Sequence, residues 1–273
     1  VAQQNFIKGG INRVILATDG DFNVGTTNQS ELTRLIEKKR QSGVFLTVLG
    51  FGTGNYKDST MEKLADKGNG NYAYIDSLRE AQKVLVKEAG ATLVTIAKDV
   101  KIQVEFNPVQ AQAYRLVGYE NRVLQAQDFN DDNKDAGEIG AGHSVTAIYE
   151  VIPPGVKWDQ PGIDALKYQG TPKANPETPS DELLTLKLRF KQPDGDKSSK
   201  LVFPVKVSDA SFNDASENFR FSAAVAAFGM LLRDSSHGGT LTLEGVHEIA
   251  QTSCGEDTEK YRKEFLGLVR IAG

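Results

Sequence analysis

Residues 12–23 read NRVILATDGDFN, and this stretch decides what fold the first part of the chain can form. Val14 to Ala17 form an unbroken apolar run, which is typical of a parallel strand that is covered on both faces. Asp19-Gly20-Asp21 follows almost directly, at the carboxyl end of that strand. Open α/β sheets bind their ligands at this end, so the stretch predicts a ligand site in a parallel sheet.

The first 97 residues alternate strand and helix patterns, as βα units of a parallel sheet do. Apolar residues recur at helical spacing in the predicted helices, and glycines follow where the helices end. The predicted elements are the last turns of a helix over 1–7, the strand at 14–17, a helix over 29–42, a strand over 44–51, a helix from Asp58 or Ser59 to 67, a strand over 72–75, and a closing helix whose apolar face comprises Leu78, Ala81, Val84, Leu85, Ala89 and Leu93.

From Val100 the pattern changes, because residues 101–106 alternate polar and apolar side chains as a half-exposed antiparallel strand does. Similar strands are predicted over 112–119, 143–152, 183–190 and 201–207, with an irregular Pro-rich excursion over 153–179 and helices again after Asp214. We therefore predict two domains, residues 1–97 and 98–273, and a fold class of α/β followed by α+β.

The composition is that of an ordinary globular protein, with 39% hydrophobic and 25% charged residues. A net charge of −4 gives no reason to expect a nucleic-acid partner, and the basic run Lys38-Lys39-Arg40 falls in the last turn of a predicted helix. The single cysteine, Cys254, excludes an internal disulfide framework. No apolar run approaches the roughly 20 residues that a membrane span needs.

Thr18-Asp19-Gly20 at the end of the first strand resembles the third metal-binding loop of von Willebrand factor type A domains. The resemblance implies that Asp19 is a ligand of Mg²⁺ or Mn²⁺ and that a carboxylate of a protein partner completes the coordination sphere. Thr18, Gly20, Asp21 and Asn23 would then support the ion through water or hold the loop backbone. The alternative is that Asp19 only shapes the turn with Gly20.

Type A domains also use an Asp-x-Ser-x-Ser turn after their first strand, and no such motif precedes Asp19. We therefore expect the chain to begin partway through the domain, as its C-terminal half, with a cation site that is incomplete and empty in this chain. The strand at 14–17 would then be an apolar sheet edge. We expect another copy, the β-rich domain or a further piece to cover it, and a homo-oligomer is one such arrangement.

The second part of the chain resembles the uncharacterised C-terminal domain of YfbK-like bacterial proteins, which follows a type A domain. The phrases that carry the resemblance are GYENR (118–122), DFNDD (128–132), AGEIGAGHSVTAIYE (136–150) and YRKEFLGLVR (261–270). With the type A loop, the resemblance covers nearly the whole chain.

An acidic cluster is the second candidate site, and it consists of Asp128, Asn130, Asp131, Asp132 and Asp135. It does not fit an EF-hand, because Asn133 stands where that loop needs glycine and Ile139 where it needs a bidentate glutamate. The preference of Asn and Asp for turns instead predicts a solvated hairpin loop.

Other candidate sites receive structural interpretations. The glycine run over 50–54 lacks the third glycine of a dinucleotide fingerprint, because Asn55 occupies that position. His143, His237 and His247 lack the signature of a catalytic triad, and a zinc site at His247 and Cys254 would lack two ligands. Trp158 is expected to pin the Pro-rich excursion to the sheet.

These inferences favour a non-enzymatic protein-binding or scaffold protein of the bacterial envelope, with a cation-dependent adhesion-type site and a partner that presents a carboxylate. The alternative is an accessory subunit of an ATPase or metal-insertion type complex. A hydrolase that uses His143 or His247 is a third hypothesis. For the compartment, we expect the periplasm, a lipoprotein or the cell surface ahead of the cytoplasm.

Overall fold

The computed structural model describes residues 1–19, 28–52, 58–119, 123–134, 136–157 and 181–273. Short non-α turns accompany the regular elements, with a π-helical turn at Lys83–Lys87 and 3₁₀ turns at Ala126–Asn130 and Phe212–Asp214. In chain order the elements are β1 (Arg13–Thr18), α1 (Gln29–Arg40), β2 (Phe45–Phe51), α2 (Asp58–Lys67), β3 (Tyr72–Ile75), α3 (Leu78–Gln82), α4 (Ala89–Leu93), β4 (Thr95–Phe106), β5 (Ala113–Val117), β6 (Gly137–Gly140), β7 (Ile148–Ile152), β8 (Glu182–Lys191), β9 (Ser198–Lys206), α5 (Glu217–Leu232), α6 (Leu243–Thr252) and α7 (Tyr261–Ala272).

The chain forms two compact units, and each unit consists of three separate segments of sequence. The predicted domain boundary between residues 97 and 98 stays a prediction. The first unit comprises Val1–Gln103, Leu124–Ser144 and Leu186–Val202, and the second comprises Val104–Val123, Val145–Thr185 and Phe203–Gly273.

The first unit contains a parallel sheet of order β1-β2-β3, as predicted. Side chains of the central strand β2 alternate between two apolar clusters. Val48 packs with Met61 and Leu64 of α2, whereas Leu49 packs with Ile75 and Val84. Helices therefore cover β2 on both faces, and burial of these aliphatic side chains contributes about 1.5–3 kcal/mol each.

β1 is less covered than its apolar sequence predicts. It ends the strand order of the parallel sheet, and the side chains of Val14 and Ile15, which point to opposite faces, are 42% and 45% exposed. The prediction of a strand covered on both faces thus holds for β2 and is wrong for β1. β1 is an apolar edge strand, and its cover by another copy or another segment stays a prediction.

Two helix predictions in the first unit need correction. Residues 1–12 form turns instead of the end of a helix, and the side chain of Asn12 closes them by bonding the backbone N–H and carbonyl of Ile7. The closing helix is interrupted by the π-helical turn at Lys83–Lys87. The predicted apolar face is not continuous, because Ala81 and Val84 pack inward while Leu78 is 77% and Leu85 44% exposed.

Each predicted antiparallel strand has a counterpart, although the strand predicted over 143–152 begins only at Ile148. β5 pairs with β7, and β4 pairs with β6. β4 also belongs to a four-stranded sheet of order β6-β4-β8-β9. β6 was not predicted, because its four residues, GEIG, contain two glycines and only one apolar side chain. At the end of this order, β9 is exposed along nearly its whole length and contains Pro204 in its interior.

The helices α5, α6 and α7, which the apolar spacing predicts, form the core of the second unit. Ala224 of α5, Val246 and Ala250 of α6 and Val269 of α7 are at most 2% exposed. Side-chain hydroxyls cap the first two of these helices, from Ser216 and Thr242. In the part of the chain that the structure describes, no helix combines the length and the hydropathy of a membrane span.

Candidate functional site

The candidate cation site lies where β1 and β2 end. Thr18 pairs with Gly50 in the register of the sheet, and the exposed Asp19 follows Thr18. Gly52 lies just beyond β2 with φ of +93°, and a Cβ built on it would be 3.8 Å from the Cβ of Asp19. The hydroxyl of Tyr74 in β3 donates a hydrogen bond to the carbonyl of Gly52. Three strands thus contribute to the surroundings of Asp19.

Thr18 and Asp19 are the predicted site residues that the structure describes. Gly20, Asp21 and Asn23 lie outside the described residues. Tyr74 was not assigned to the site from sequence, because its position in a short apolar strand gives no sign that its hydroxyl reaches the end of β2. Gly52 entered the sequence analysis only as part of a glycine run.

The described residues do not complete a site for Mg²⁺, which takes a near-octahedral set of oxygen ligands. Among the described residues, no group of three His, Cys, Asp or Glu side chains is placed to hold a metal ion. Thr18 and Asp19 offer one hydroxyl and one carboxylate, so further donors are required for a cation to bind. The assignment of Asp19 as a ligand and its alternative as a turn former both stay predictions.

The second carboxylate-rich region is the loop of residues 128–134, which we call the acidic loop. Phe129 anchors it by burying its ring to 5% exposure. Within the loop, the Asp131 carboxylate accepts hydrogen bonds from the backbone and side-chain nitrogens of Asn133, at 2.9 and 3.2 Å. Asp128 forms an ion pair with Lys134, at 3.1 Å. Groups within the acidic loop therefore compensate part of its negative charge.

Two buried lysines hold the backbone of the acidic loop. Lys101 of β4 is 2% exposed, and its ammonium donates to the carbonyl of Asp131. Lys191 at the end of β8 donates to the carbonyl of Asp132 and to the carboxylate of Asp99, both at 2.7 Å. A buried ammonium group is costly unless it is paired and hydrogen-bonded. Lys191 has an ionic partner in Asp99, whereas the contact of Lys101 is a hydrogen bond to a carbonyl.

The Asp132 carboxylate contacts side chains of β8 and β9. It accepts hydrogen bonds from the hydroxyl of Ser198 in β9 and from the guanidinium of Arg189 in β8, the latter at 2.9 Å. The hydrogen bond from Ser198, together with the hydrogen bond and positive charge of Arg189, lowers the pKa of Asp132 to about 2. Asp132 is therefore ionised across the physiological pH range.

The prediction of a solvated hairpin loop holds for solvent exposure, since most residues of the acidic loop are exposed, but it is wrong for the hairpin. Donors of the protein itself engage the carboxylates of Asp128, Asp131 and Asp132, and they give the loop a structural role. Asp135 lies outside the described residues. The loop contains no hairpin turn between paired strands, because it runs from a 3₁₀ turn into β6.

The sequence analysis did not assign the buried lysine side chains to the acidic loop. Alternation placed Lys101 on the polar face of its strand and Ile102 on the buried face. In the structure Lys101 is buried and Ile102 is 45% exposed. Irregularities in the β4–β6 register interrupt the alternation, and Asp99 in this stretch adopts a positive φ of 51°. The acidic phrase DFNDD is the sequence signal that could have pointed to nearby cations.

The histidines occupy unrelated places. The Nε2 atom of His247 in α6 accepts a hydrogen bond from the Nε of Arg270 in α7, at 3.0 Å, which is a helix-to-helix contact. His143 and His237 lie in turns, where their backbone N–H groups donate to the carbonyl of Gly140 and to the hydroxyl of Ser235. None of these contacts supports a catalytic role. Trp158 lies outside the described residues.

The sequence phrases around the acidic loop and β6 belong to a known family. The family described as "Uncharacterized protein YfbK, C-terminal" matches residues 91–273. The chain is a member of this family. The predicted resemblance is thereby confirmed, and the matched region includes the acidic loop and the three C-terminal helices.

One curated relative extends over almost the whole chain. "Uncharacterized protein YfbK" of Escherichia coli (strain K12) is 45% identical over 271 residues, which are 99% of this chain and 46% of that protein. The chain therefore spans a little less than half the length of this relative. The relative's name states no activity, so it adds no substrate or partner.

Two solved structures show a loose likeness to the chain. A von Willebrand factor type A protein from Catenulispora acidiphila has a TM-score of 0.34 at 17% identity, over 96% of this chain and 60% of that chain. The human COPII-coat protein Sec24c has a TM-score of 0.38 at 10% identity, over 89% of this chain and 32% of that chain.

Proposed function

We propose that the protein is a non-enzymatic binding or scaffold protein of the bacterial envelope, which captures a carboxylate of a protein partner through a divalent cation. The observation that supports this proposal is the place of Asp19. Its carboxylate is exposed at the carboxyl end of a parallel strand, beside Gly52 at the end of the next strand. This is the edge at which open α/β sheets bind ligands.

The donor chemistry at this edge suits a hard cation. The carboxylate of Asp19 and the hydroxyl of Thr18 are oxygen donors, the type that Mg²⁺ and Mn²⁺ prefer. The further ligands would come from Asp21 and Asn23 or from a part of the protein that corresponds to the remaining length of the relative. Under this proposal, residues 1–97 are the C-terminal half of a type A domain, on the basis of Thr18-Asp19-Gly20 and the parallel strands.

Calorimetric titration of Mn²⁺ into the full-length protein tests the role of Asp19. We expect binding that Asp19→Ala weakens by at least about tenfold, because the substitution removes a charged ligand. The matched control is Asp209→Ala, which removes an exposed aspartate from the loop after β9 and is expected to leave the affinity unchanged. Absence of binding, or equal binding by Asp19→Ala, would remove the mechanism.

The binding role is tested separately by capture of partners from a membrane and periplasmic fraction, with Mg²⁺ or with EDTA. We expect a partner that is retained with Mg²⁺, released by EDTA and lost in Asp19→Ala. Copurification with an ATPase that is indifferent to EDTA would instead support an accessory subunit of an enzyme complex. Exclusive recovery of the protein in the cytoplasm would contradict the envelope assignment.

A further inference from the structure

Arg13, the first residue of β1, links three strands of the first unit. Its guanidinium donates one hydrogen bond to the hydroxyl of Thr47 in β2, at 2.6 Å, and one to the hydroxyl of Thr95 in β4, at 2.9 Å. Thr47 is 1% exposed, so the first of these bonds is inside the protein. The ring of Phe45 lies 5.7 Å from the guanidinium carbon and adds a cation–π contact.

Glu138 in β6 supplies negative charge to this region. In the antiparallel register Thr95 pairs with Gly140, so the strand that receives the Arg13 hydrogen bond lies beside the segment that carries Glu138. Burial lowers the pKa of Arg13, and the charge of Glu138 opposes that shift. A carboxylate at this place offsets the cost of burying a guanidinium charge.

The packing of β6 leaves little room for it to move. A Cβ built on Gly140 would lie 1.8 Å from the carbonyl oxygen of Ala91, so only glycine permits this approach. The backbone N–H of Ala141 also donates to the carbonyl of Val94, at 2.8 Å. Glu138 is therefore presented from a strand with a fixed position relative to β4.

We propose that Arg13 and Glu138 form a latch that fixes β1 to the region that defines the family. Arg13 and Thr47 precede residues 91–273, which the family matches, whereas Thr95 and Glu138 lie within them. Arg13 begins β1 and Asp19 follows its other end. The latch thus gives the family region a positioning role for the strand that carries Asp19, whether or not a cation binds there.

The choice of arginine follows from its shape. A planar guanidinium reaches two acceptors at once, whereas the ammonium of lysine is a compact point charge. The Nη1 and Nη2 atoms of Arg13 are committed to the two threonines, and the buried Nε has no hydrogen-bond acceptor among the described residues. The remaining charge is then compensated through space by Glu138.

Hydrogen–deuterium exchange of β1 tests the latch in the intact chain. Glu138→Gln keeps the shape of the side chain and removes its charge. We expect exchange of the amides of residues 13–19 to become at least about tenfold faster, because the buried guanidinium loses its counter-charge. The control Glu256→Gln, at an exposed glutamate, is expected to leave exchange in β1 unchanged. Unchanged exchange in Glu138→Gln would overturn the latch.

A double-mutant cycle provides the second test. Arg13→Met and Glu138→Gln are each expected to lower the melting temperature, and the double variant is expected to lose clearly less than the sum of the two shifts. Additive shifts would contradict the pairing. If Arg13→Met does not fold, Thr95→Val replaces it in the exchange experiment. Removal of that acceptor is expected to accelerate exchange in β1 while α6 stays protected.

Discussion

The acidic loop and the end of β1 both bear carboxylates, but the contacts that the structure shows around those carboxylates differ. In the acidic loop, Lys101, Lys191 and Arg189 approach from neighbouring strands and bind its carbonyls and a carboxylate. At the end of β1, Asp19 is exposed beside a glycine. The comparison shows that cations of the protein give the acidic loop a structural role, which its run of aspartates does not reveal in the sequence.

The largest effect is expected from Lys191→Ala. This substitution leaves the carboxylate of Asp99, which is only 17% exposed, without its ionic partner, and we expect a loss of about 3–5 kcal/mol in the free energy of unfolding. Urea unfolding measures it. The control Lys206→Ala breaks a pair with Asp181 whose side chains are 75% and 58% exposed, and no measurable change is expected. Equal losses of stability in the two variants would contradict a structural role for Lys191 at the acidic loop.

Lys101→Met is expected to have a smaller effect. Methionine retains most of the buried volume but cannot donate to the carbonyl of Asp131, so an acceptor inside the protein loses its hydrogen bond. We expect a loss of about 1–3 kcal/mol in the same unfolding experiment. An increase in stability would show that the cost of burying the ammonium exceeds the value of its hydrogen bond.

The pH dependence of stability in Asp132→Asn tests the contacts that the Asp132 carboxylate makes. The folded-state pKa of Asp132 is about 2, below the ordinary value of 3.8. Its ionised form therefore stabilises the fold fully above pH 3.8, and this contribution is lost as the pH falls toward 2. We expect the variant to be less stable than the natural protein at pH 7, with a difference that shrinks below pH 3.8. A difference that is constant with pH would contradict the assigned contacts.

The smallest effect is expected from Ca²⁺. Because donors of the protein already engage the acidic loop, millimolar Ca²⁺ is expected to leave the melting temperature of the chain unchanged, both in the natural sequence and in Asp131→Asn. Differential scanning fluorimetry measures the shift. A stabilisation by Ca²⁺ that disappears in Asp131→Asn would make the acidic loop a calcium site.

Regular elements with strong periodicity could be predicted from the sequence. The strand at 72–75 was placed at its observed bounds, and α5, α6 and α7 follow from apolar spacing. The strand β6 and the π-helical turn at Lys83–Lys87 could not be predicted, since neither has a sequence pattern of its own. Their positions depend on tertiary packing, as the close approach of Gly140 to Ala91 illustrates.

The candidate site was predictable only in part. The place of Asp19 follows from an apolar strand that ends in Thr-Asp-Gly. The proximity of Gly52 and the hydrogen bond from Tyr74 depend on the parallel register, which sequence reasoning did not fix. For the acidic loop, alternation placed Lys101 on the solvent side, because the pattern cannot report the irregular register of β4.

The proline inside β9 has a consequence for handling the protein at high concentration. β9 is the last strand in its sheet, and its residues Leu201, Val202 and Phe203 are 44–48% exposed. Exposed apolar edge strands of this kind can pair with other chains to form fibrils. Pro204 removes a backbone donor from this strand, and the charged side chains of Lys200 and Lys206 flank the apolar run. Concentrated solutions are therefore expected to resist ordered fibre growth despite the apolar run.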